Sequence, residues 1–349
     1  MDKENFVIKP FLNELNGDDG AVLGKWCFSK DLFFEGVHFE RGWLSCEQIA
    51  AKALLVNISD AIVMNAVPKY ALLGLALPRT ISNADIKALQ KGFLKTAREF
   101  GIKIIGGDTI SADKMGISVS LISRVRKKAV YRKGLKKGDL LAFTGELGES
   151  LRGLKMLQRA ENSQKGVNFE GLKDLKRGEN LKNILNLSDL QKFQNGEILQ
   201  NVNLENSQGF QNDENSKNGA NFKALKNSQN AVKLPPTHRF IKPNLRGEFF
   251  YKIAHKVRCA MDISDGLGQD LAKMLALNGL GVNFLTKLSA DELNSGEEYE
   301  ILLAFAPKHR DFMLKTAAKF GVKLNIFAEA KAIKKPSDKY EFKGQSWHF

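Results

Sequence analysis

The chain has 349 residues, a formal net charge of +14, and hydrophobic and charged fractions of 43% and 26%. These values describe a globular protein long enough for two domains, each with its own core. No apolar run reaches the ~18–20 residues of a membrane helix, and MDKENFVIKPF lacks the apolar centre of a signal peptide. The expectation is therefore a cytoplasmic protein without membrane partners. Cys27, Cys46 and Cys259 are too few and too far apart for a disulfide framework or a CxxC metal site. The lysine excess is spread along the chain and no RRM, KH, zinc-finger or arginine-rich pattern accompanies it. It predicts a solvated surface able to attract an anionic substrate, with no nucleic-acid partner.

In chain order, Trp26–Lys30 and Phe33–Phe39 read as strands and Glu47–Ala66 as a helix, its stripe formed by Ala50, Leu54, Ile58, Ala61 and Ile62. Tyr70–Leu77 is a strand. Ser82 caps the next helix, with Asp85 in its first turn and Gly101 at its end. Ile102–Ile105 and Gly116–Val125 are further strands. A second α/β unit follows: strand Asp139–Phe143, helix Glu149–Gln158, helix Leu245–Lys256, strand Arg258–Ile263 and helix Leu267–Leu277. Strand Tyr299–Ala304, helix Arg310–Phe320 and strand Val322–Phe327 complete it. The pattern predicts two mixed α/β domains, 1–128 and 129–349. The second is interrupted at about 160–233 by an Asn/Lys/Gln/Ser-rich insertion with too few apolar residues to offset the entropy of ordering.

The chemistry-bearing residues are aspartates at turns and strand ends. NGDDG (Asn16–Gly20) suits a hairpin turn as well as a ligand pair. Asp31 interrupts an apolar run, which calls for a partner. Asn57 and Asp60 share a helix face. In GIKIIGGDT, a strand ends in two glycines that let a ligand approach the backbone before Asp108 and Thr109. In MDISDGLGQDL, a strand leads to Asp262, Ser264 and Asp265, and Asp265 suits a helix N-cap as well as a ligand position. Dispersed single carboxylates fit magnesium, which takes one or two per ion and fills its shell with water and phosphate oxygens. No GxxxxGK[ST] loop, HRD/DFG set or GxGxxG fingerprint is present.

The stretches GDDGAVL, DLFFEGVHF, NISDAIVMNAVPKYALLGLALP, GGDT, VYRKGLKKGDLLAFTGELGESLRGL, HRFIKPNLR, MDISDGLGQDL, SGEEYEILL and KGQSWHF resemble, in order, the thiamine-monophosphate kinase family. That family sits in the superfamily of aminoimidazole ribonucleotide synthetase and selenophosphate synthetase. The resemblance covers nearly the whole chain outside the insertion. It implies an aminoimidazole ribonucleotide synthetase-like fold, an N-terminal sheet pairing across a homodimer, and ATP-dependent conversion of thiamine monophosphate to thiamine diphosphate with several Mg2+ ions. Carried over by position, the resemblance assigns Asp19, Ser29, Asp31, Asp60, Asp108, Asp262 and Asp265 to metal. It assigns Gly107, Asp108, Arg132 and Ser264 to ATP, and His38, Glu297 and an aromatic, Phe342 or Trp347, to thiamine phosphate. The acceptor is already an anion, so no acid or base role is assigned.

Lys30 departs from the family, which has a hydroxyl residue there. The expectation is a backbone contact or a weakened ion, with the Lys30 ammonium supplying some of the missing charge. Met64-Asn65 stands for Met-Gly, and Glu297-Glu298-Tyr299-Glu300 for Glu-Asp-Tyr-Glu. The alternative is a catalytically impaired nucleotide-binding member of the superfamily.

Overall fold

The computed structural model describes residues 3–164, 234–342 and 344. Met1–Leu154 and Leu234–Phe349 form one compact unit, and Lys155–Lys233 separates from it. Of that second unit only 155–164, the end of a helix, are described. The predicted insertion lies outside the described residues from 165 onward.

The N-terminal sheet has the order β1-β2-β5-β3-β4, with β1 Ala21–Leu23, β2 Trp26–Phe34, β3 Ala66–Pro78, β4 Lys103–Ala112 and β5 Gly116–Val125. Only β3 and β4 run parallel. A short helix, α1 (Lys3–Ile8), precedes the sheet. Helix α2 (Cys46–Val63) begins at a capping box: Gln48 N–H donates to Ser45 Oγ, and Ser45 N–H to Gln48 Oε1. Its Ile49, Ala53, Leu54, Ile58 and Ala61 are fully buried. Helix α3 (Asn83–Glu99) is capped by Ser82, with Asp85 in its first turn, as expected. The opposite face of the sheet carries exposed Phe28, Leu32, Phe34, Tyr70 and Leu72.

The second sheet is antiparallel throughout, ordered β7-β9-β6-β10-β8. Its strands are β6 Leu140–Thr144, β7 Val257–Asp262, β8 Leu280–Phe284, β9 Ile301–Phe305 and β10 Leu324–Ala332. The helices of this half are α4 (Glu149–Gln164), α5 (Gly247–Ile253), α6 (Leu267–Asn278), α7 (Ala290–Asn294) and α8 (Arg310–Lys319). Leu267, Leu271 and Met274 of α6 pack on Leu141, Phe143, Met261, Leu302 and Phe327 of the sheet. The mixed α/β class is as expected from the sequence.

Several expectations are corrected. Residues 26–34 form one strand, and the chain turns from Glu35 on, with Gly36 at φ 87°. β4 does not stop at Ile105. It runs on to Ala112, because Gly107 lets it pass against β3: a Cβ there would collide with the Leu73 carbonyl oxygen. NGDDG is not a hairpin turn, since Leu23 pairs with Trp26 and the turn falls at Gly24–Lys25. Asn65 stands at φ 54°, the left-handed conformation that Asn tolerates, and its side chain donates to the Lys128 carbonyl.

Candidate active site

Strand alternation and two helix ends bring most of the predicted residues to one cavity of about 310 Å³. Its walls include Asp18, Asp19, Lys30, Asp31, His38, Asp60, Arg132, Asp262, Ser264 and Asp265. Asp31 lies on the inward face of β2 with Cys27, Ser29 and Phe33. Asp60 comes from the last turn of α2, and Asp262 from the end of β7. Carboxylate oxygens of Asp19, Asp60 and Asp262 lie within 4.8 Å of one another.

Few charges are available to hold these carboxylates together. Asp19 Oδ1 accepts from Arg132 Nε (3.2 Å) and Nη2 (2.5 Å). Arg132 N–H donates to Asp18 Oδ1 at 2.6 Å, and Asn278 Nδ2 donates to the Arg132 carbonyl at 3.0 Å. Asp262 Oδ2 accepts from Ser59 Oγ at 2.7 Å. Burial, then the charges of Asp31, Asp262 and Asp19, push the Asp60 carboxyl well above its ordinary range. Burial and Asp19 push Asp262 up to about 8, against the lowering effect of Ser59 and Arg132.

The donor set fits a hard divalent cation. Asp19 Oδ2, Ser29 Oγ and Asn57 Oδ1 are buried and find no hydrogen-bond partner among the described residues. Of these, Asp19 Oδ2 belongs to the carboxylate cluster and is an oxygen donor of the kind that Mg2+ takes, whereas Ser29 and Asn57 are not among the residues of the cavity wall.

Other predicted residues are placed elsewhere. Asp108 and Gly107 lie on the edge strand β4. Asp108 pairs in register with Gly74, which pairs with Ser118, which pairs with Leu32. That register puts the Asp108 side chain on the uncovered face of the sheet, opposite Asp31, and it is absent from the cavity wall. Lys30 is in the cavity wall, but its side chain is on the uncovered face. Its ammonium donates to Ser118 Oγ at 2.6 Å on the uncovered face, so its main chain is what stands beside Asp31.

Glu297 is 1% exposed, outside the cavity wall, and paired at 2.7 Å with Lys52, itself fully buried. Phe342 lies against Gly268 at the start of α6, and Trp347 is outside the described residues. His38 does line the cavity, with Nδ1 accepting from Phe34 N–H. Asp265 is not a helix cap. Gly266, at φ 108°, opens α6, and the Asp265 carboxylate pairs with Lys273.

Lys52, Asp270 and Lys273 escaped the sequence reading. Asp270 is fully buried, accepts from Asp265 N–H at 3.1 Å, and is pushed well above its usual range by burial and by Asp265. The signals were present: a lysine in the apolar AAKALLV run, and an i, i+3 Asp–Lys pair just after MDISDG.

Residues 17–125 match the family model "AIR synthase related protein, N-terminal domain". That match covers the part of the chain that carries Asp18, Asp19, Asp31 and Asp60 of the cavity wall. The chain is also similar to thiamine-monophosphate kinases. The Bacillus subtilis enzyme of that name is 40% identical over 136 residues, 38% of this chain and 42% of the relative. The chain spans about half the length of the curated relatives it matches.

The fold is shared over a longer stretch. The structure of AaThiL complexed with AMPPCP and TMP superposes with TM-score 0.66 at 20% identity, covering 99% of this chain and 96% of that one. E. coli HypE, a hydrogenase maturation protein, also superposes, with TM-score 0.56 at 15% identity over 95% and 90% of the two chains. The fold is thus common to proteins with different roles, and it is the site that distinguishes them.

Proposed function

We propose that the protein transfers the γ-phosphoryl group of ATP to thiamine monophosphate, giving thiamine diphosphate and ADP. The observation that carries this reading is the cavity itself. Six aspartates converge there, three of them within 4.8 Å, on a wall shared with the guanidinium of Arg132. Support comes from the similarity to thiamine-monophosphate kinases and from the fold shared with AaThiL, whose complex holds AMPPCP and TMP.

Mg2+, held by Asp19, Asp60, Asp262 and their neighbours, would neutralise phosphate charge. The chain's own residues do the rest. Arg132, fixed through its main chain to Asp18 and Asn278, presents a cation at the cavity wall toward the anionic groups. Ser264 and the opening of α6 offer hydrogen bonds to a phosphate. A phosphate oxygen of the acceptor attacks the γ-phosphorus and forms the new P–O bond. The bond to the β-phosphate oxygen breaks, and ADP leaves with that electron pair. The acceptor oxygen is already ionised, so no side chain need take a proton, and catalysis is positioning and charge stabilisation.

The protein is proposed to act as a homodimer, joined through the uncovered apolar face of the N-terminal sheet. No helix of the described residues is long and apolar enough to cross a membrane, which fits the proposed cytoplasmic location. The proposed division at about residue 128 places each sheet in its own domain. Incubation with ATP, Mg2+ and thiamine monophosphate, followed by chromatography for thiamine diphosphate, tests the reading. ATP binding without product would favour the impaired nucleotide-binding alternative.

A further inference from the structure

Arg132 and Lys273 both reach the cavity carboxylates, and they are held differently. Arg132 is fixed at both main-chain groups and contacts Asp19 through two nitrogens. Lys273, on α6, pairs with Asp265 through a single ammonium at the end of a four-carbon stem, and its side chain remains 34% exposed. It lines the same cavity. An arginine bound through two nitrogens is preorganised. A lysine on a flexible stem is a point charge that can change partners, and a lysine is also a common phosphate ligand.

The charges make such a change useful. Asp18, Asp19, Asp31, Asp60, Asp262 and Asp265 would repel a polyphosphate entering the cavity unpaired. We infer that Lys273 is the exchangeable counter-cation of this cavity. It holds Asp265 while the cavity lacks nucleotide, yields that carboxylate to a divalent cation, and transfers its ammonium to a phosphate of the incoming nucleoside triphosphate. Cation and nucleotide binding are thereby coupled through one side chain. The inference rests on the phosphoryl-transfer reading for the identity of its ligand, but its test does not require turnover.

The test titrates Mn2+ calorimetrically into the full chain, with and without a non-hydrolysable ATP analogue, comparing wild type with Lys273→Met and Lys273→Arg. Removing the competing ammonium should tighten nucleotide-free Mn2+ binding about three- to fivefold, the scale of a partly exposed ion pair. The same Lys273→Met change should weaken analogue binding in saturating Mn2+ about tenfold, while Lys273→Arg retains most of the analogue affinity. Lys273→Gln substitutes if the Met variant fails to fold. Unchanged or weaker nucleotide-free Mn2+ binding in the neutral variants would overturn the inference. So would wild-type analogue affinity in those variants, or no analogue binding by the unaltered chain. If both shifts occur and no thiamine diphosphate forms, the coupling stands and the acceptor assignment falls.

Discussion

Asp60 and Asp262 are buried among like charges, and that burial sets a pH dependence. Asp262 titrates at about 8 in the folded protein against an ordinary 3.8, and Asp60 is shifted in the same direction. Between about pH 4 and 8 the folded state therefore binds more protons than the unfolded chain, so stability falls as pH rises through that window. In a chelator, the thermal midpoint should drop from pH 5 to pH 8. Asp262→Asn should reduce that slope, and Mg2+ should raise the midpoint more at pH 8 than at pH 5. The proposed phosphoryl transfer relies on the same carboxylate cluster. Asp60→Asn is expected to lower kcat/KM by about 10²–10³, the scale of losing one main electrostatic group. Asp108→Asn, on the far face of the sheet, is the informative contrast: a comparable loss would show that β4 contributes to a site after all.

At the scale of elements, the site depends on how α2 is held against the second half of the chain. Ser59 reaches Asp262, and Lys52 reaches Glu297 across 245 residues of sequence while lying 4.1 Å from the Phe240 ring centre. The Glu297 loop is in turn tied to the strand end beside Asp262: Glu297 N–H donates to the Ser264 carbonyl and Tyr299 N–H to that of Ile263. Lys52→Met leaves a buried carboxylate without its partner and should cost about 3–5 kcal/mol in denaturant unfolding. Adding Glu297→Gln should restore much of that loss, because the unpaired charge is then gone. Truncating the α2 cap, Ser45→Ala, should cost about 1 kcal/mol.

At the scale of the whole molecule, the exposed face of the N-terminal sheet, with Phe28, Leu32, Phe34 and Leu72, is the surface proposed to pair. Leu72→Glu should leave the thermal midpoint of the monomer fold little changed while shifting light-scattering mass from dimer to monomer. Much of this architecture was legible in the chain. Ser82 with Asp85 marked a helix start, Gly116–Val125 a strand, and the aspartates at Asp19, Asp31, Asp60 and Asp262 a shared site. What was not legible has physical causes. Whether a strand residue faces the cavity depends on register, and a period of two puts Asp108 and Lys30 on the face away from Asp31. Short β1 carries too few residues for a pattern. The Lys52–Glu297 pair is a tertiary contact between residues that no local spacing links.

The aspartate cavity is proposed to support phosphoryl transfer to thiamine monophosphate, and identifying the product formed there is the decisive measurement. With ATP and Mg2+, the protein should convert thiamine monophosphate to thiamine diphosphate with one ADP formed per product. Chelation should abolish the reaction, and Asp60→Asn should nearly do so. ATP bound without any thiamine diphosphate, or product formation undiminished by Asp60→Asn, would rule out phosphoryl transfer at this cavity.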